Sequence, residues 1–368
     1  MIRRREHAQL DSINLLPGPV KISPAVHEAF CRPAISHRSA IYDEQLDRVT
    51  RRLRELTSAQ HATLLLGSGT LANDAVAAQL RSAGRGLVLV NGHFGWRLSD
   101  HARRAGLDFE TETVDWGRPL PYENLAARLH GPHRPAWLWA VHHETSTGVL
   151  NDLPRLAAMA EAAGTKLCID AISSIGTVPM DLSLAHLASG VSGKALAAFP
   201  GLAFVLHRQA IASDPGVPRY LDLGMVAEAG GVPFTSSSNL LAALDVALHR
   251  LDGESRCEQV FAAKRQLSRW LRGRVEASGC ALMAAEDVAS PANLTLRPPP
   301  GCSAFALGER LDAAGIFLSY RSSYLVRRNL IQVCLFSDHD QTELEALLPF
   351  LPEATAMPKG ALVPRIAG

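Results

Sequence analysis

The chain has 368 residues and a mass of 39.6 kDa, room for one large domain and a smaller one around a sizeable buried core. Hydrophobic residues make up 47% and charged residues 20%, and Lys plus Arg (37) nearly equals Asp plus Glu (36). That balance is ordinary for a globular enzyme and argues against a nucleic-acid or membrane-surface partner. No apolar run is long enough to span a membrane, so a membrane protein is not expected either. Six cysteines (Cys31, Cys168, Cys257, Cys280, Cys302, Cys334) are scattered without CxxC spacing, which predicts reduced, structural thiols and a cytoplasmic location. The N-terminus, MIRRREHAQLDS, is basic but lacks a following apolar stretch, so it does not read as a secretory signal.

In chain order, INLLPGPV (residues 13–20) joins an apolar start to Pro17-Gly18-Pro19, which predicts a turn with an extended exit. A helix is predicted from residue 22, with Ser23 as its cap and Pro24 in its first turn. A polar loop, Ser36-His37-Arg38-Ser39, leads to a second helix over residues 42–58. The strand Ala62-Thr63-Leu64-Leu65-Leu66 then runs into Gly67-Ser68-Gly69-Thr70 and an alanine-rich helix over 71–81. Strand, glycine-rich turn and helix start aim free backbone N–H groups and the helix dipole at one spot. That is an anion site, and Ser68 and Thr70 add hydroxyls to it. The lysine that closes a Walker A loop is missing, so no P-loop is predicted.

Strands at 86–90, 109–114 and 136–141 alternate with helices at 96–105 and 125–129, the pattern of βαβ units in a mostly parallel sheet covered on both faces. The loop Asn91-Gly92-His93-Phe94-Gly95-Trp96-Arg97 follows a strand end. Open α/β sheets bind ligands there, and an aromatic at that place can stack on a flat cofactor. His142-His143-Glu144 suggests a metal, yet adjacent residues of an extended segment face opposite sides, so no metal is expected.

The stretch KLCIDAISSIGTVPMDLSLAHLASGVSGK (residues 166–194) carries the chemistry. Leu167-Cys168-Ile169 reads as a buried strand ending on Asp170; a small-residue turn, one short helical segment and a second strand end lead to Lys194, among Gly193, Ala195 and Leu196. Apolar neighbours solvate a lysine poorly, which lowers its pKa and suits it to Schiff-base chemistry. A lysine and a carboxylate on neighbouring strand ends match the needs of pyridoxal phosphate: one holds the aldehyde as an imine, the other keeps the pyridine nitrogen protonated. Further on, a strand at 202–206 precedes a Gly-, Pro- and Ser-rich segment, 214–238, that reads as a long functional loop. Helices follow at 240–251 and 257–277. The remainder, with strands at 292–297, 316–320 and 330–336 and helices at 304–313 and 341–348, reads as a small α+β domain. The expected division is an arm over 1–20, a large domain over 21–252 and a small one over 253–368.

Taken together, LLPGPV, HRS, LLLGSGT, NGHFGWR, HHETSTGVL, CIDAISSIGTVPMD and SGKALAAFPGLAFV resemble, in order and spacing, the class V aminotransferases of pyridoxal-phosphate fold type I. The resemblance runs from residue 15 to about 208, more loosely to 351, and looks most like the branch acting on 2-aminoethylphosphonate and pyruvate, with the alanine–glyoxylate branch further off. It implies pyridoxal 5'-phosphate as cofactor, Lys194 as the Schiff-base lysine and Asp170 as the partner of the pyridine nitrogen. It further implies Phe94 on the ring face, Ser68, Gly69 and Thr70 around the phosphate, and Thr145 near the phenolic oxygen. Thr235 falls where the family lends a phosphate ligand from the other subunit, which implies a homodimer with shared active sites. The implied reaction carries an amino group from a small amine or amino acid, 2-aminoethylphosphonate-like or alanine/serine-like, to a keto acid such as pyruvate or glyoxylate.

Two departures bear on substrate. Gly193 stands where the family has Gln or Asn, and Gln332 stands where its small-domain arginine binds the substrate's anionic group. A neutral amide replacing a bidentate guanidinium forgoes on the order of 1.5–3 kcal/mol. The candidates to supply the charge are Arg38, Arg321 and Arg327, with Arg327 or Arg328 also candidates for the family position itself. The alternative is a pyridoxal-phosphate lyase or decarboxylase of a specialised pathway. A non-catalytic protein retaining the fold is disfavoured by the joint presence of Lys194 and Asp170.

Overall fold

A computed structural model describes residues 12–352. The basic N-terminal stretch therefore lies almost wholly outside the described residues, as do residues 353–368. The path begins with β1 (Ile13–Asn14) and α1 (Pro24–Phe30), where the Ser23 hydroxyl accepts the Val26 amide and Pro24 occupies the first turn. In α2 (Ala40–Thr57), Tyr42, Leu46, Val49 and Leu53 fall on one buried face at helical spacing, and Ser39 caps the start.

The large layer follows: β2 (His61–Gly67), α3 (Gly69–Gln79), β3 (Gly86–Val90), α4 (His93–Arg104), β4 (Phe109–Thr113), α5 (Tyr122–His130) and β5 (Trp137–Val141). A short antiparallel pair, β6 (His143–Glu144) and β7 (Val149–Leu150), precedes α6 (Leu153–Ala163), β8 (Lys166–Asp170), β9 (Leu187–Val191) and β10 (Gly201–His207). Seven of these strands form one sheet in the order β2-β10-β9-β8-β5-β3-β4. Only β10 runs against its neighbours, so the sheet is mostly parallel. Alternation along the strands feeds two cores. Leu87, Leu89, Leu138, Ala140, Leu167 and Ile169 face one side, while Val88, Val90, Trp137, Trp139 and Cys168 face the other.

Beyond the sheet come α7 (Leu223–Glu228), α8 (Ser238–Leu248), α9 (Glu254–Ala277), β11 (Ala281–Leu282), β12 (Asn293–Arg297), α10 (Ala304–Ala313), β13 (Ile316–Phe317), α11 (Ser323–Arg328), β14 (Ile331–Cys334) and α12 (Gln341–Glu345). An antiparallel sheet β11-β12-β14 backs a separate core in which Leu15 packs with Leu271, Leu294, Leu311 and Val333. The start of the chain belongs to this layer: β1 pairs in parallel with β13, and the Leu15 carbonyl accepts the Cys334 amide at 2.9 Å. A fourth cluster, Val20, Ala195, Ala197, Ala292, Cys334 and Phe336, locks the segment around Lys194 to the small layer.

Several predicted elements shift. The helix expected over 71–81 begins at Gly69, because Ser68 takes the extended cap conformation, and Thr70 thus sits in the first turn. Between Asp170 and β9 residues 172–177 are turns, not the short helix expected. The segment read as a long loop contains α7, whose first turn is capped by Asp222 accepting the Met225 amide at 3.0 Å. The strand expected over 316–320 ends at Phe317, and α11 falls in a region read as connection.

Candidate active site

The parallel strands deliver their chemistry at their C-terminal ends, as open α/β sheets do. Asp170 closes β8, buried, and each of its oxygens accepts one internal hydrogen bond. Asn73 Nδ2 of α3 donates to Oδ2 at 2.9 Å and the Ile172 amide donates to Oδ1 at 3.0 Å. Burial raises the Asp170 pKa, and these two donors, with the charges of His101 and Arg97, pull it back. The Asn73 carbonyl in turn accepts Ser189 Oγ of β9 at 2.7 Å.

Lys194 lies three residues past β9 on a tight loop. Its carbonyl accepts the Ala197 amide at 2.9 Å, Ser192 Oγ donates to the Phe199 carbonyl at 2.6 Å, and Arg250 donates to the Ala195 carbonyl. Burial holds the ammonium below the usual lysine pKa, with Asp170 among the charges that oppose the shift. The Nζ stands 5.7 Å from the centroid of Phe336. Gly176, at φ +82°, passes so close that a Cβ there would lie 2.9 Å from the Ala195 carbonyl oxygen.

Two helix starts face the same space. At α3 the Ser68 side chain makes no capping bond, leaving the first-turn amides to a ligand. Thr70 Oγ1 accepts from Arg97 Nη2 at 3.0 Å. At α4 the buried Glu144 fills the capping role from another strand. Its Oε2 accepts the amides of Phe94 and Gly95, both at 2.9 Å, and its Oε1 accepts the amide and hydroxyl of Ser146. Burial pushes the Glu144 pKa up to about 7 against those donors. The Phe94 backbone is thereby tied to Glu144, and the Arg97 guanidinium lies 5.8 Å from the Phe94 ring centroid.

These groups enclose a cavity of about 370 Å³, lined by Ser68, Gly69, Thr70, Phe94, Asp170 and Lys194 among others. The remaining residues singled out from sequence lie elsewhere. Thr145 is buried and is not among the residues lining the cavity, its carbonyl accepting Asn293 Nδ2 at 2.7 Å and Thr295 Oγ1 at 3.1 Å. Gln332 is fully buried on β14. Its amide nitrogen donates to the Thr145 carbonyl and, at 3.0 Å, to Thr295 Oγ1, and its oxygen accepts the Tyr324 hydroxyl at 3.1 Å. Arg38 donates to the Val232 carbonyl at 2.9 Å, and Arg321, with its side chain 60% exposed, pairs with Glu309 and Asp312 at 2.8 and 3.0 Å. Arg328 lies 3.7 Å over Trp116. Thr235 lines a separate surface cleft with Leu66, Tyr220 and Phe234.

Among the cavity residues not singled out from sequence as site residues are Asn73, Arg97 and His143. His143 is buried, with Nδ1 3.0 Å from the Ser173 carbonyl and Nε2 without a partner, and burial drives its pKa down to about 4. The strand alternation that separates His142 from His143 was the available signal, since it sends one of them to the cavity side. Asn73 and Arg97 sit on α3 and α4 one turn beyond Gly69 and Phe94, a helical spacing that also points back to the cavity. Among the described residues, no group of three or more His, Cys, Asp and Glu is placed to hold a metal ion.

The donor set fits pyridoxal phosphate. Asp170 can face the ring nitrogen, Lys194 the aldehyde, Phe94 the ring face, and the α3 amides with Ser68 and Thr70 the phosphate. Comparison with known proteins agrees with that donor set. The family description "Aminotransferase class-V" matches residues 25–214. The soluble hydrogenase 42 kDa subunit of Anabaena cylindrica is 33% identical over 79% of this chain and 79% of its own length. The 2-aminoethylphosphonate–pyruvate transaminase of Pseudomonas entomophila is 30% identical over 66% of this chain and 69% of its own. The crystal structure of alanine–glyoxylate aminotransferase from Nostoc sp. superposes with a TM-score of 0.81 at 27% identity, over 95% of this chain and 97% of that one.

Proposed function

Since the chain belongs to the class-V aminotransferases, and is thereby a pyridoxal-phosphate-dependent transaminase, we propose that it moves an amino group from a small amine or amino acid to a keto acid such as pyruvate or glyoxylate. The observation that carries this is the single cavity shared by a half-buried lysine, a buried carboxylate, an aromatic and an uncapped helix start. When bound, the cofactor supplies an aldehyde for imine formation and a ring that draws electrons from the substrate carbon.

The chain's own residues do the rest. Lys194, whose ammonium form burial disfavours, is the amine that would hold the cofactor's aldehyde carbon, and its Nζ is the base that would take the proton from the donor's carbon and return one to the acceptor's carbon. Asp170 holds the proton on the ring nitrogen. Phe94, whose backbone is held by Glu144, would lie against the ring face, and Ser68, Gly69 and Thr70 would anchor the phosphate. Thr145, whose carbonyl receives Gln332, would be the residue approaching the cofactor's phenolic oxygen.

Gln332 has both ends of its amide engaged, so it is not free to greet a carboxylate. Arg97 is the arginine that lines the cavity, and no carboxylate pairs with it among the described residues. We assign to it the substrate's anionic group; Arg38 and Arg321 would first have to leave Val232 and the Glu309–Asp312 pair. The same sealed amide favours a second reading, elimination or decarboxylation with the same cofactor. Incubating the reconstituted enzyme with amines, amino acids and aminophosphonates plus pyruvate or glyoxylate separates the two. Alanine or glycine formation is expected; consumption of the donor without either product would establish the second reading.

A homodimer is part of the proposal. Thr235 sits in a cleft beside Leu66 and Tyr220, which are 41% and 51% exposed, and an apolar face of that kind suits a second copy. The six cysteines are unpaired, which supports a reducing, cytoplasmic setting. No helix among the described residues is long and apolar enough to cross a membrane.

A further inference from the structure

Resting on the proposed placement of the cofactor's ring nitrogen against Asp170, we infer that Asn73, held in orientation by Ser189, is a positioning residue that weakens the basicity of Asp170 and so keeps the shared proton on the ring rather than on the carboxylate. The geometry is a directed relay across three elements. Ser189 Oγ gives its only proton to Asn73 Oδ1 at 2.7 Å, which leaves the NH₂ end of the amide facing Asp170 Oδ2 at 2.9 Å. The Ile172 amide serves the other oxygen at 3.0 Å. Ser189, Asn73 and Asp170 are all buried, and Asn73 and Asp170 also line the cavity.

A hydrogen bond donated to a carboxylate stabilises its charged form and lowers its proton affinity. A strongly basic carboxylate would draw the proton off the pyridine nitrogen and blunt the ring's pull on electrons. Desolvation works in that harmful direction at Asp170, and Asn73 is the largest opposing contribution. The other charged groups that face Asp170 are Arg97 and His101 on α4, which favour the carboxylate, Lys194 after β9, and Glu144 on β6, a like charge. None of these donates a hydrogen bond to Asp170; the Ile172 amide does, but to the other oxygen, so Asn73 is the side-chain donor among the described residues.

The test compares wild type with Asn73→Leu, which removes the donor at similar volume, and with Ser189→Ala and Ser189→Thr. In the apo-protein, carboxyl carbon NMR reads the titration of Asp170; Asn73→Leu is expected to raise its midpoint by about one unit. With ¹⁵N-labelled cofactor bound, the ring nitrogen signal is expected to move toward the unprotonated position. In parallel, kcat falls about 10-fold while KM moves less than about 3-fold. Ser189→Ala shifts all three the same way, and Ser189→Thr, which restores the hydroxyl, returns them to wild type. Folded variants whose carboxyl midpoint and ring signal match wild type would overturn the inference, and if Asn73→Leu does not fold, the Ser189 pair decides alone. A ring signal unmoved by Asp170→Asn would instead overturn the placement of the cofactor itself.

Discussion

His142 and His143 are adjacent, buried and neutral, with pKa values driven by desolvation from 6.5 to about 3 and about 4. The unfolded chain takes up protons on both near 6.5, whereas the folded chain does not. Their contribution is therefore fully present above that value and is lost as the pH falls toward 4, by up to about 1.4 kcal/mol per pH unit for each. Denaturant unfolding at stepped pH is expected to show a steepening loss below 6.5 that His142→Asn reduces; an unchanged slope in that variant would contradict the burial account. At the same scale, Glu144 shows why a carboxylate beside a metal-like histidine pair need not bind a metal. Its two oxygens already carry four donors from α4 and Ser146.

At the scale of elements, regular patterns were legible and long-range partners were not. The predicted bounds of α10 coincide with the observed Ala304–Ala313, because Ser303 caps it and its apolar spacing is plain. In α7 the signal was masked by surrounding Gly, Pro and Ser, and only the Asp222 cap marks it. Asp170 and Lys194 could be placed on strand ends from local sequence, but nothing local tells that Gln332 meets Thr145, Thr295 and Tyr324, or that Asn73 reaches Asp170 across 97 positions. The turn after β8 carries its own test. Gly176 has φ +82° and no room toward the Ala195 carbonyl, so Gly176→Ala incurs about 1–2 kcal/mol of backbone strain plus the contact. It is expected to lower both stability and cofactor affinity by displacing the Lys194 loop. A variant with wild-type melting and affinity would show that the turn does not set the lysine's position.

Over the whole molecule, the two layers are joined where the chemistry is. Val20, Ala195, Phe336 and their neighbours form one cluster beside Lys194, and Gln332 ties β14 of the small layer to Thr145 of the large one. The cleft around Tyr220, Phe234 and Thr235 is the surface on which a partner subunit is proposed to complete the site. Sedimentation is expected to show a dimer, and Tyr220→Arg to yield monomers with cofactor affinity at least about 10-fold weaker; a monomer with undiminished affinity would argue that each site is complete in one chain. The account as a whole depends on Lys194 as the amine that captures the cofactor. Borohydride reduction of the protein reconstituted with pyridoxal phosphate, followed by peptide mass mapping, is predicted to place the reduced cofactor on Lys194 and to find none in Lys194→Ala; a label on another lysine, or none on the wild type, would contradict it.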